Sequence, residues 1–274
     1  MKKTYPKSVD FCVLIPCYNN LRGLYQSISS IEYNEEDYVV LVIDDGSDVA
    51  VSLDELYAKI PSSVNIVILR NEKNAGITKS LNRGLDYISA NFAAKFIARL
   101  DCGDICSPER FYKQVSFLNT HPEIDLVGSW CYFKNFQSGE AFKYITPTLH
   151  YNIERSMYFR NVFIHPTVMW RSVALQQAKY PEQYPCAEDY GLFYEMISRG
   201  RSAIMDEFLV TCELNKKGLS YIFRDEQLKS RSAIIKNYGT NKIYRFLGVL
   251  KLRLLMLLPF ELVLQMKKMM YRVQ

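Results

Sequence analysis

Two carboxylates near the middle of the chain, Asp101 and Asp104, are spaced closely enough to share one divalent cation. They directly follow the apolar run 96–100, and the Ser107 and Pro108 that come after them are typical of a helix start. Hard cations such as Mg²⁺ prefer oxygen ligands of this kind. The pair could equally cap the next helix or accept hydrogen bonds from nearby amides, so its interpretation depends on the rest of the chain.

Polar clusters follow four short apolar runs in the first part of the chain. Short, unbroken apolar runs are typical of strands covered on both faces. Segments with apolar residues at helical spacing separate them, and this alternation predicts an α/β fold with parallel pairing. Ligands of such sheets bind beyond the carboxyl ends of the strands. A nucleotide-sized site is therefore expected where the four clusters meet, at residues 16–20, 44–47, 70–76 and 101–104.

The composition favours a cytosolic enzyme over a nucleic-acid-binding, secreted or membrane-spanning protein. The 274 residues carry a net charge of +5, which is too small and too dispersed to indicate nucleic acid binding. The seven cysteines form no C-x-x-C pair, and the three histidines are not spaced to complete a zinc site. The first apolar run begins at Phe11 and is too short for a secretion signal. The most apolar segment, residues 246–264, is interrupted by charges and a proline.

Seven short motifs in order along the chain resemble those of family 2 glycosyltransferases of the GT-A fold, which transfer sugars from nucleotide-sugar donors. The resemblance extends from residue 13 to about residue 221. It implies a Rossmann-like mixed sheet flanked by helices and a non-processive, inverting reaction. The Gln-x-x-Arg-Trp motif of processive relatives is not found in the sequence. The motifs are residues 14–19, 42–47, 74–84, 98–104, 117–128, 165–169 and 188–190.

The resemblance assigns donor binding to residues at the predicted strand ends. Pro16 and Tyr18 are expected to line the base and ribose, and Asp45 to accept a hydrogen bond from the imide of a UDP-sugar or dTDP-sugar. The alternative for residues 44–47 is an Asp-rich turn that caps a helix. The full expected set is Pro16, Tyr18, Asp44, Asp45, Arg70, Asn74, Gly76, Arg83, Arg99, Asp101 and His165.

The basic members of this set have two possible roles. Arg70, Arg83 and Arg99, together with the nearby Lys73, could contact the diphosphate or the sugar, or could form only surface salt bridges. His165, which precedes Pro166, could touch the acceptor or a phosphate, or could be a structural histidine in a turn.

The resemblance also implies that Asp101 and Asp104 hold Mn²⁺ or Mg²⁺ across the two donor phosphates. Such an ion neutralises charge on the departing diphosphate. The family commonly has a third acid in this motif, and its middle acid is often the direct ligand, but this chain has Gly103 there. The sequence leaves open whether Asp104 replaces it, whether the phosphates hold the ion, or whether dependence on metal is weak.

Asp189 is expected to be the general base, with Glu188 as the alternative. A sugar hydroxyl is a weak nucleophile at neutral pH, so a positioned carboxylate is needed to remove its proton. Neighbours on a helix point about 100° apart, so only one of the two can face the acceptor. An acidic pair is also favourable at a helix N-terminus for electrostatic reasons alone.

The predicted domain organisation is a catalytic domain over residues 1–225, followed by a basic amphipathic helical tail over residues 226–274. The nucleotide-binding half is expected at about 8–130 and the acceptor half at about 131–225. Residues 240–274 contain seven Lys or Arg and one Glu. Such a tail could bind the inner face of the cell membrane, pack on the catalytic domain or contact a second copy in a homodimer.

The function indicated by these features is transfer of one sugar to a saccharide hydroxyl during O-antigen or capsule synthesis. The acceptor is expected to be lipid-linked, and the location cytoplasmic and peripheral to the membrane. The sequence disfavours two other functions. A sugar nucleotidyltransferase would need a glycine-rich, basic phosphate loop after the first strand, where residues 16–20 stand. A catalytically silent nucleotide-sugar-binding or membrane-scaffold protein would not need both Asp101 and Asp189.

Overall fold

The computed structural model describes residues 7–61, 63–177, 179–214, 223–259 and 262–263. The strands are β1 (Lys7–Cys17), β2 (Tyr38–Asp44), β3 (Ile66–Arg70), β4 (Phe92–Arg99), β5 (Ile105–Cys106), β6 (Ile124–Lys134), β7 (Ala141–Tyr144), β8 (Met169–Arg171) and β9 (Arg201–Glu213). The α-helices are α1 (Leu21–Ser29), α2 (Leu53–Tyr57), α3 (Ile77–Asn91), α4 (Arg110–Thr120), α5 (His150–Met157), α6 (Glu188–Arg199), α7 (Arg224–Tyr238) and α8 (Lys242–Leu257).

The described strands form one mixed sheet in the order β3-β2-β1-β4-β8-β6-β9-β5, with β7 paired to β6. The first four pair in parallel, as the alternation of strands and helices predicts. Beyond β4 the sheet is mixed, because β8 runs antiparallel to both β4 and β6, and β9 runs parallel to β6. The expected mixed sheet flanked by helices is confirmed.

The sheet curls, and this curl matters for the site. Residues 100–104 connect β4 to β5, yet β8, β6 and β9 lie between these two strands in the sheet order. A link of this length spans at most about 20 Å, so the far end of the sheet must bend back towards β4. The turn at 101–104 thus lies between the two ends of the curled portion.

Two apolar clusters cover the two faces of the sheet. β2 is buried along its whole length. Leu41 and Ile43 pack with residues of α3 such as Leu81, whereas Val40 and Val42 pack with residues of α1. Successive side chains of a strand point to opposite faces, so a strand buried on both sides becomes an unbroken apolar run.

The sequence patterns did not predict β9, the longest strand of the sheet. Its burial does not alternate regularly, because the β6–β9 register shifts at several points. The sequence patterns also did not predict β7 and α5, which lie within residues 134–160.

The two helices at the C-terminal side pack on the catalytic fold. In α7, Leu228, Ile234 and Ile235 are buried in the same cluster as residues of α6. In α8, Leu252 is buried, and a Cβ placed at Gly248 would lie only 2.1 Å from the Tyr158 carbonyl oxygen. The helix therefore packs closely at that point. The expected boundary at residue 225 stays a prediction, and Lys267, Lys268 and Arg272 of the predicted tail lie outside the described residues.

Crossing a bilayer takes a longer and more uniformly apolar helix than any found in the described parts of the chain.

Candidate active site

The polar ends of β1, β2 and β3 are hydrogen-bonded neighbours. Cys17 is in register with Asp44, which is in register with Arg70. The amide of Asp45 donates to the Cys17 carbonyl at 2.8 Å, and the amide of Asn71 donates to the Asp44 carbonyl at 2.8 Å. The predicted polar clusters at these strand ends therefore adjoin one another.

Asp44 is fully buried and uses its carboxylate inside the fold. It accepts from the amides of Ser47 at 2.9 Å and Val51 at 3.1 Å, and it forms an ion pair with Arg70. Burial alone would raise the pKa of Asp44, but the hydrogen bonds from Ser47, Val51 and Arg70 lower it below its usual value. This geometry makes Asp44 the residue that shapes the turn after β2.

Asp45 lies beside Asp44 and is also buried, but it faces the chain after β3. Its Oδ1 accepts from Asn71 Nδ2 at 2.7 Å, the Ala75 amide at 2.9 Å and the Ser80 hydroxyl at 2.8 Å. Its Oδ2 accepts from the Gly76 amide at 3.0 Å. A carboxylate offers about four acceptor positions, with two on each oxygen, so Oδ2 is the atom that retains capacity for an imide N–H.

The loop after β1 is fixed to the turn after β2. The Asn19 amide donates to Ser47 Oγ at 3.0 Å, and the Asp48 amide donates to Asn19 Oδ1 at 2.8 Å. Tyr18 is 49% exposed beside this junction, and its expected role in lining the base and ribose stays a prediction. Pro16 is half-buried, and its carbonyl oxygen lies 3.3 Å from Cys102 Sγ. This contact links the loop after β1 to the turn at 101–104.

A close backbone approach holds these loops together at Gly46. This glycine has a φ of +73°, and a Cβ there would lie 2.5 Å from the Lys73 carbonyl carbon. Only glycine fits such a contact in that conformation. The Asn74 side chain is exposed beside it, and its Oδ1 accepts from the Gly76 amide at 3.1 Å.

Two of the predicted cationic contacts are engaged with the protein itself. Arg70 donates to the Ser47 carbonyl at 2.8 Å in addition to its pair with Asp44. Arg83 donates to the Arg70 carbonyl at 2.7 Å and to Asn71 Oδ1. Both therefore brace the end of β3, and a role in donor binding remains a prediction.

Arg99 is a fully buried cation at the end of β4. Its guanidinium pairs with the half-exposed carboxylate of Asp101 and donates to the Leu100 carbonyl. Its Nε has no hydrogen-bond partner among the described residues. Burying a guanidinium is costly unless an opposite charge compensates it, so Arg99 needs the acidic residues that surround it.

The turn carrying Asp101 and Asp104 is fastened to α1 by Ser27. The Ser27 hydroxyl lies 2.9 Å from the carbonyl oxygens of both aspartates and accepts from the Gly103 amide at 2.9 Å. Asn20 adds a bond from its Nδ2 to the Cys102 carbonyl at 3.1 Å. The turn is consequently held rigidly at the mouth of the site.

The two aspartates of this turn face different surroundings. The Asp101 side chain is 40% exposed, whereas Asp104 is buried and its Oδ1 accepts from the Glu213 amide at 2.7 Å. Burial and then the negative charge of Asp101 raise the pKa of Asp104 well above its usual value. The expectation that both ligate metal stays a prediction, and Asp104 has a structural task in addition.

Glu188 and Asp189 open α6, as the sequence predicts. Asp189 Oδ2 accepts from Asn161 Nδ2 at 2.9 Å, and its Oδ1 accepts from the Tyr190 amide at 2.6 Å. Burial raises the pKa of Asp189 to about 6, and the negative charge of Asp101 adds to the effect. Asp189 is partly exposed and oriented by two donors, which suits a general base.

Glu188 is more deeply buried than Asp189. It is 8% exposed, and its Oε2 has no hydrogen-bond partner within the described ranges. Burial, and then the charge of Asp189, raise the pKa of Glu188 to about 7. Two neighbouring carboxylates with raised pKa values mark this corner as a place where proton transfer near neutral pH is feasible.

His165 is buried rather than presented to a ligand. Its Nε2 lies 2.7 Å from the Tyr180 hydroxyl. Burial and then the positive charge of Arg99 lower the pKa of His165 well below its usual value. A neutral, buried imidazole fits the structural alternative, and contact with acceptor or phosphate stays a prediction.

The carboxylates near the 101–104 turn suit a hard cation in type. In the described part of the chain, however, no three His, Cys, Asp or Glu side chains converge as a complete metal site. The fit is that of a partial ligand set, which donor phosphates would have to complete. The partnerless Oε2 of Glu188 is consistent with a region arranged for a further positive group.

Sequence reasoning missed several residues that organise the site. Ser27 and Ser80 are fully buried at helical spacing within apolar stripes of α1 and α3. A small polar residue inside a core-facing stripe was the available signal. Asn161 and Glu213 carried no such signal, because their roles depend on contacts distant in sequence.

The mixed sheet flanked by helices is a GT-A-type fold. The fold is shared with the solved structure of S. aureus TarS 1–349 in complex with UDP-GlcNAc (TM-score 0.63, 18% identity, 88% of this chain and 70% of that chain). It is also shared with the mannosyltransferase PcManGT from Pyrobaculum calidifontis in complex with GDP-Man and Mn²⁺ (TM-score 0.60, 15% identity, 92% of this chain and 71% of that chain).

Sequence comparison gives the family. Residues 12–177 match the model of glycosyl transferase family 2. The chain is 31% identical over 241 residues to the amylovoran biosynthesis glycosyltransferase AmsE of Erwinia amylovora, covering 84% of this chain and 88% of that protein. The chain belongs to glycosyltransferase family 2 and is a glycosyltransferase, as the motifs predict.

Proposed function

We propose that this glycosyltransferase transfers a single sugar from a UDP-sugar or dTDP-sugar to a saccharide hydroxyl, with inversion at the anomeric carbon. The observation that carries this proposal is the position of Asp189. Asn161 orients its carboxylate, its pKa is raised, and it lies close enough to Asp101 for the Asp101 charge to add to that rise. Asp189 suits removal of the acceptor proton, and Asp101 suits the donor diphosphate and its cation.

In the proposed reaction Asp189 removes the proton of the acceptor hydroxyl as its oxygen attacks the anomeric carbon. A pKa of about 6 leaves Asp189 ionised at neutral pH while making it a stronger base than an ordinary aspartate. Asn161 and the Tyr190 amide orient the carboxylate. The new bond forms as the bond to the nucleoside diphosphate breaks on the opposite face, which inverts the configuration.

On the donor side, the 101–104 turn is the proposed site of Mn²⁺ or Mg²⁺. Asp101 would face the ion with its position fixed by Arg99, and the buried Asp104 would hold the neighbouring backbone in place. A bound ion would neutralise charge on the departing diphosphate. PcManGT was solved with Mn²⁺ and TarS with UDP-GlcNAc. These two structures support the proposal that this protein also uses a metal ion and a nucleotide-sugar.

Hydrolysis of nucleotide-sugars, screened with and without Mn²⁺, tests this function. Turnover of one donor is expected, with loss in Asp189→Asn. No turnover of any UDP-, dTDP- or GDP-sugar by the folded protein would favour a catalytically silent binding protein. With an acceptor in hand, the anomeric configuration of the product, read by NMR, must be opposite to that of the donor.

The acceptor is proposed to be a lipid-linked saccharide of surface polysaccharide synthesis. The name of AmsE, an amylovoran biosynthesis glycosyltransferase, supports the biosynthetic role but does not identify the acceptor. The exposed face of α8 supports a peripheral position on the cytoplasmic side of the membrane. Apolar side chains on this face, at spacings of three, four and seven, are 40% to 80% exposed. Helical geometry puts Lys251 on one border of the face and Lys242 and Arg253 on the other. The apolar residues are Ile243, Phe246, Leu247, Leu250, Leu254 and Leu257.

Packing on the domain does not exclude membrane binding, because α8 packs by one side and leaves an apolar side exposed. Lys and Arg beside an apolar face favour anionic lipid surfaces. The variant Phe246→Ser/Leu250→Ser/Leu254→Ser should no longer sediment with phosphatidylglycerol vesicles. The control Leu149→Ser/Tyr151→Ser removes two apolar residues elsewhere that are 68% and 69% exposed, and it should sediment as the wild type does. Sedimentation of the triple variant at the wild-type level would refute the membrane role.

A further inference from the structure

The space that a side chain at position 103 would need is filled by a carboxylate from another strand. Gly103 has a φ of +106°, and a Cβ built there would lie 2.6 Å from Glu213 Oε2. The side-chain nitrogen of Asn20, Nδ2, would lie 3.8 Å from the same Cβ. A carboxylate is therefore present above the 101–104 turn even though position 103 itself provides none.

The position of Glu213 is fixed by β9 and by a hydrogen bond to Asp104. Glu213 is the last residue of β9, which pairs antiparallel with β5 just after the turn. The Glu213 amide donates to Asp104 Oδ1 at 2.7 Å. Cys212 before it is buried, and because successive strand residues point to opposite faces, Glu213 projects to the open side.

We propose that Glu213 and Asp101 are the two carboxylates that face the donor diphosphate and its divalent cation, and that Asp104 is a positioning residue for Glu213. This inference rests on the proposed function. Position 103 is a glycine and provides no carboxylate, so Glu213 at the end of β9 would provide it instead. No motif of the sequence includes Glu213.

The charges around the turn support a cation at this place. Asp101 is half-exposed and Glu213 is exposed, so both carboxylates are accessible to an ion and to phosphates. Arg99 pairs with Asp101 from the buried side, whereas Glu213 brings a second accessible carboxylate to the same turn. Hard oxygen ligands in partial sets, completed by substrate phosphates, are the usual environment of Mg²⁺ and Mn²⁺.

The test is Mn²⁺ binding in the presence of saturating UDP, dTDP or GDP, followed by the EPR signal of free Mn²⁺ and by calorimetry. Glu213→Gln keeps the shape of the side chain and removes its charge. Weaker Mn²⁺ binding by about tenfold or more is expected, with nucleotide affinity in the absence of metal not reduced. Asp206→Asn, an exposed acid on the same strand, is the matched control and should bind Mn²⁺ as the wild type does.

The variant Asp104→Asn separates positioning from ligation. An asparagine Oδ1 still accepts from the Glu213 amide, so Asp104→Asn is expected to lose less Mn²⁺ affinity than Glu213→Gln. The reverse order, or Glu213→Gln with wild-type Mn²⁺ affinity, would overturn the assignment while leaving the proposed function standing. Wild-type protein that binds no nucleotide with or without Mn²⁺ would refute both.

Discussion

Glu188 offers the sharpest test of the electrostatics of this site, through protein stability. Its carboxylate is 8% exposed and Oε2 has no partner among the described residues. Burial, and then the charge of Asp189, raise its pKa from 4.5 to about 7. One pKa unit corresponds to about 1.4 kcal/mol, so the ionised form costs the folded state at most about 3 kcal/mol.

The sign follows from the folded pKa lying above the unfolded one. Below pH 4.5 the group is protonated in both states, and its charge costs nothing. The cost develops as the pH rises from 4.5 towards about 7 and is constant above that. Glu188→Gln removes the charge at nearly the same volume, so its free energy of unfolding should exceed that of the wild type at pH 8 by up to about 3 kcal/mol more than at pH 4.

Urea unfolding of the two proteins at pH 4, 6 and 8 measures this difference. The exposed Glu182 lies on the loop before α6, and Glu182→Gln, which removes a carboxylate that is not buried, is the matched control. A Glu188→Gln difference that stays constant across this range, or that shrinks towards pH 8, would refute the claim that the site stores an uncompensated buried charge.

Three further predictions concern the base, the β2 turn and the carboxylate turn. Because Asp189 must be ionised to accept a proton, kcat/KM should fall as the pH drops below about 6, and Asp189→Asn should lower kcat by about 10²–10⁴ in steady-state assays. Asp44→Ala removes the carboxylate that accepts from Arg70 and from the amides of Ser47 and Val51. It should lower the free energy of unfolding by about 2–4 kcal/mol in urea titrations. Full wild-type stability would contradict the structural role given to Asp44. Ser27→Ala removes the hydroxyl that fastens the 101–104 turn, so KM for the donor should rise more than kcat falls, whereas an unchanged KM would show that the turn is held without it.

The energetic character of the site explains why these effects are expected to be large. Arg99 is fully buried, and Glu188 and Asp189 have raised pKa values, so several charges are held away from water. Such groups reduce stability unless a partner compensates them. A bound donor with its cation would supply compensation, which is one reason why ligand binding should stabilise this protein measurably.

The sequence alone determined the parallel half of the sheet and the polar ends of its strands. Unbroken apolar runs such as 38–43 indicate strands buried on both faces. Apolar residues at helical spacing in α1 and α3 indicate helices buried on one side only. Each of these signals lies within a few residues along the chain, because the period of a strand or helix is local. The motif order was enough to indicate the family, and the family match confirmed it.

Only the tertiary structure decided how the acids of the site are divided among tasks. Asp44 and Asp45 look alike in sequence, yet the strand geometry turns one towards Arg70 and the other towards Asn71. The bond between Asp104 and Glu213 joins residues 109 positions apart. It exists because the sheet curls until β9 meets β5, and no local pattern of residues can record a contact created by that closure.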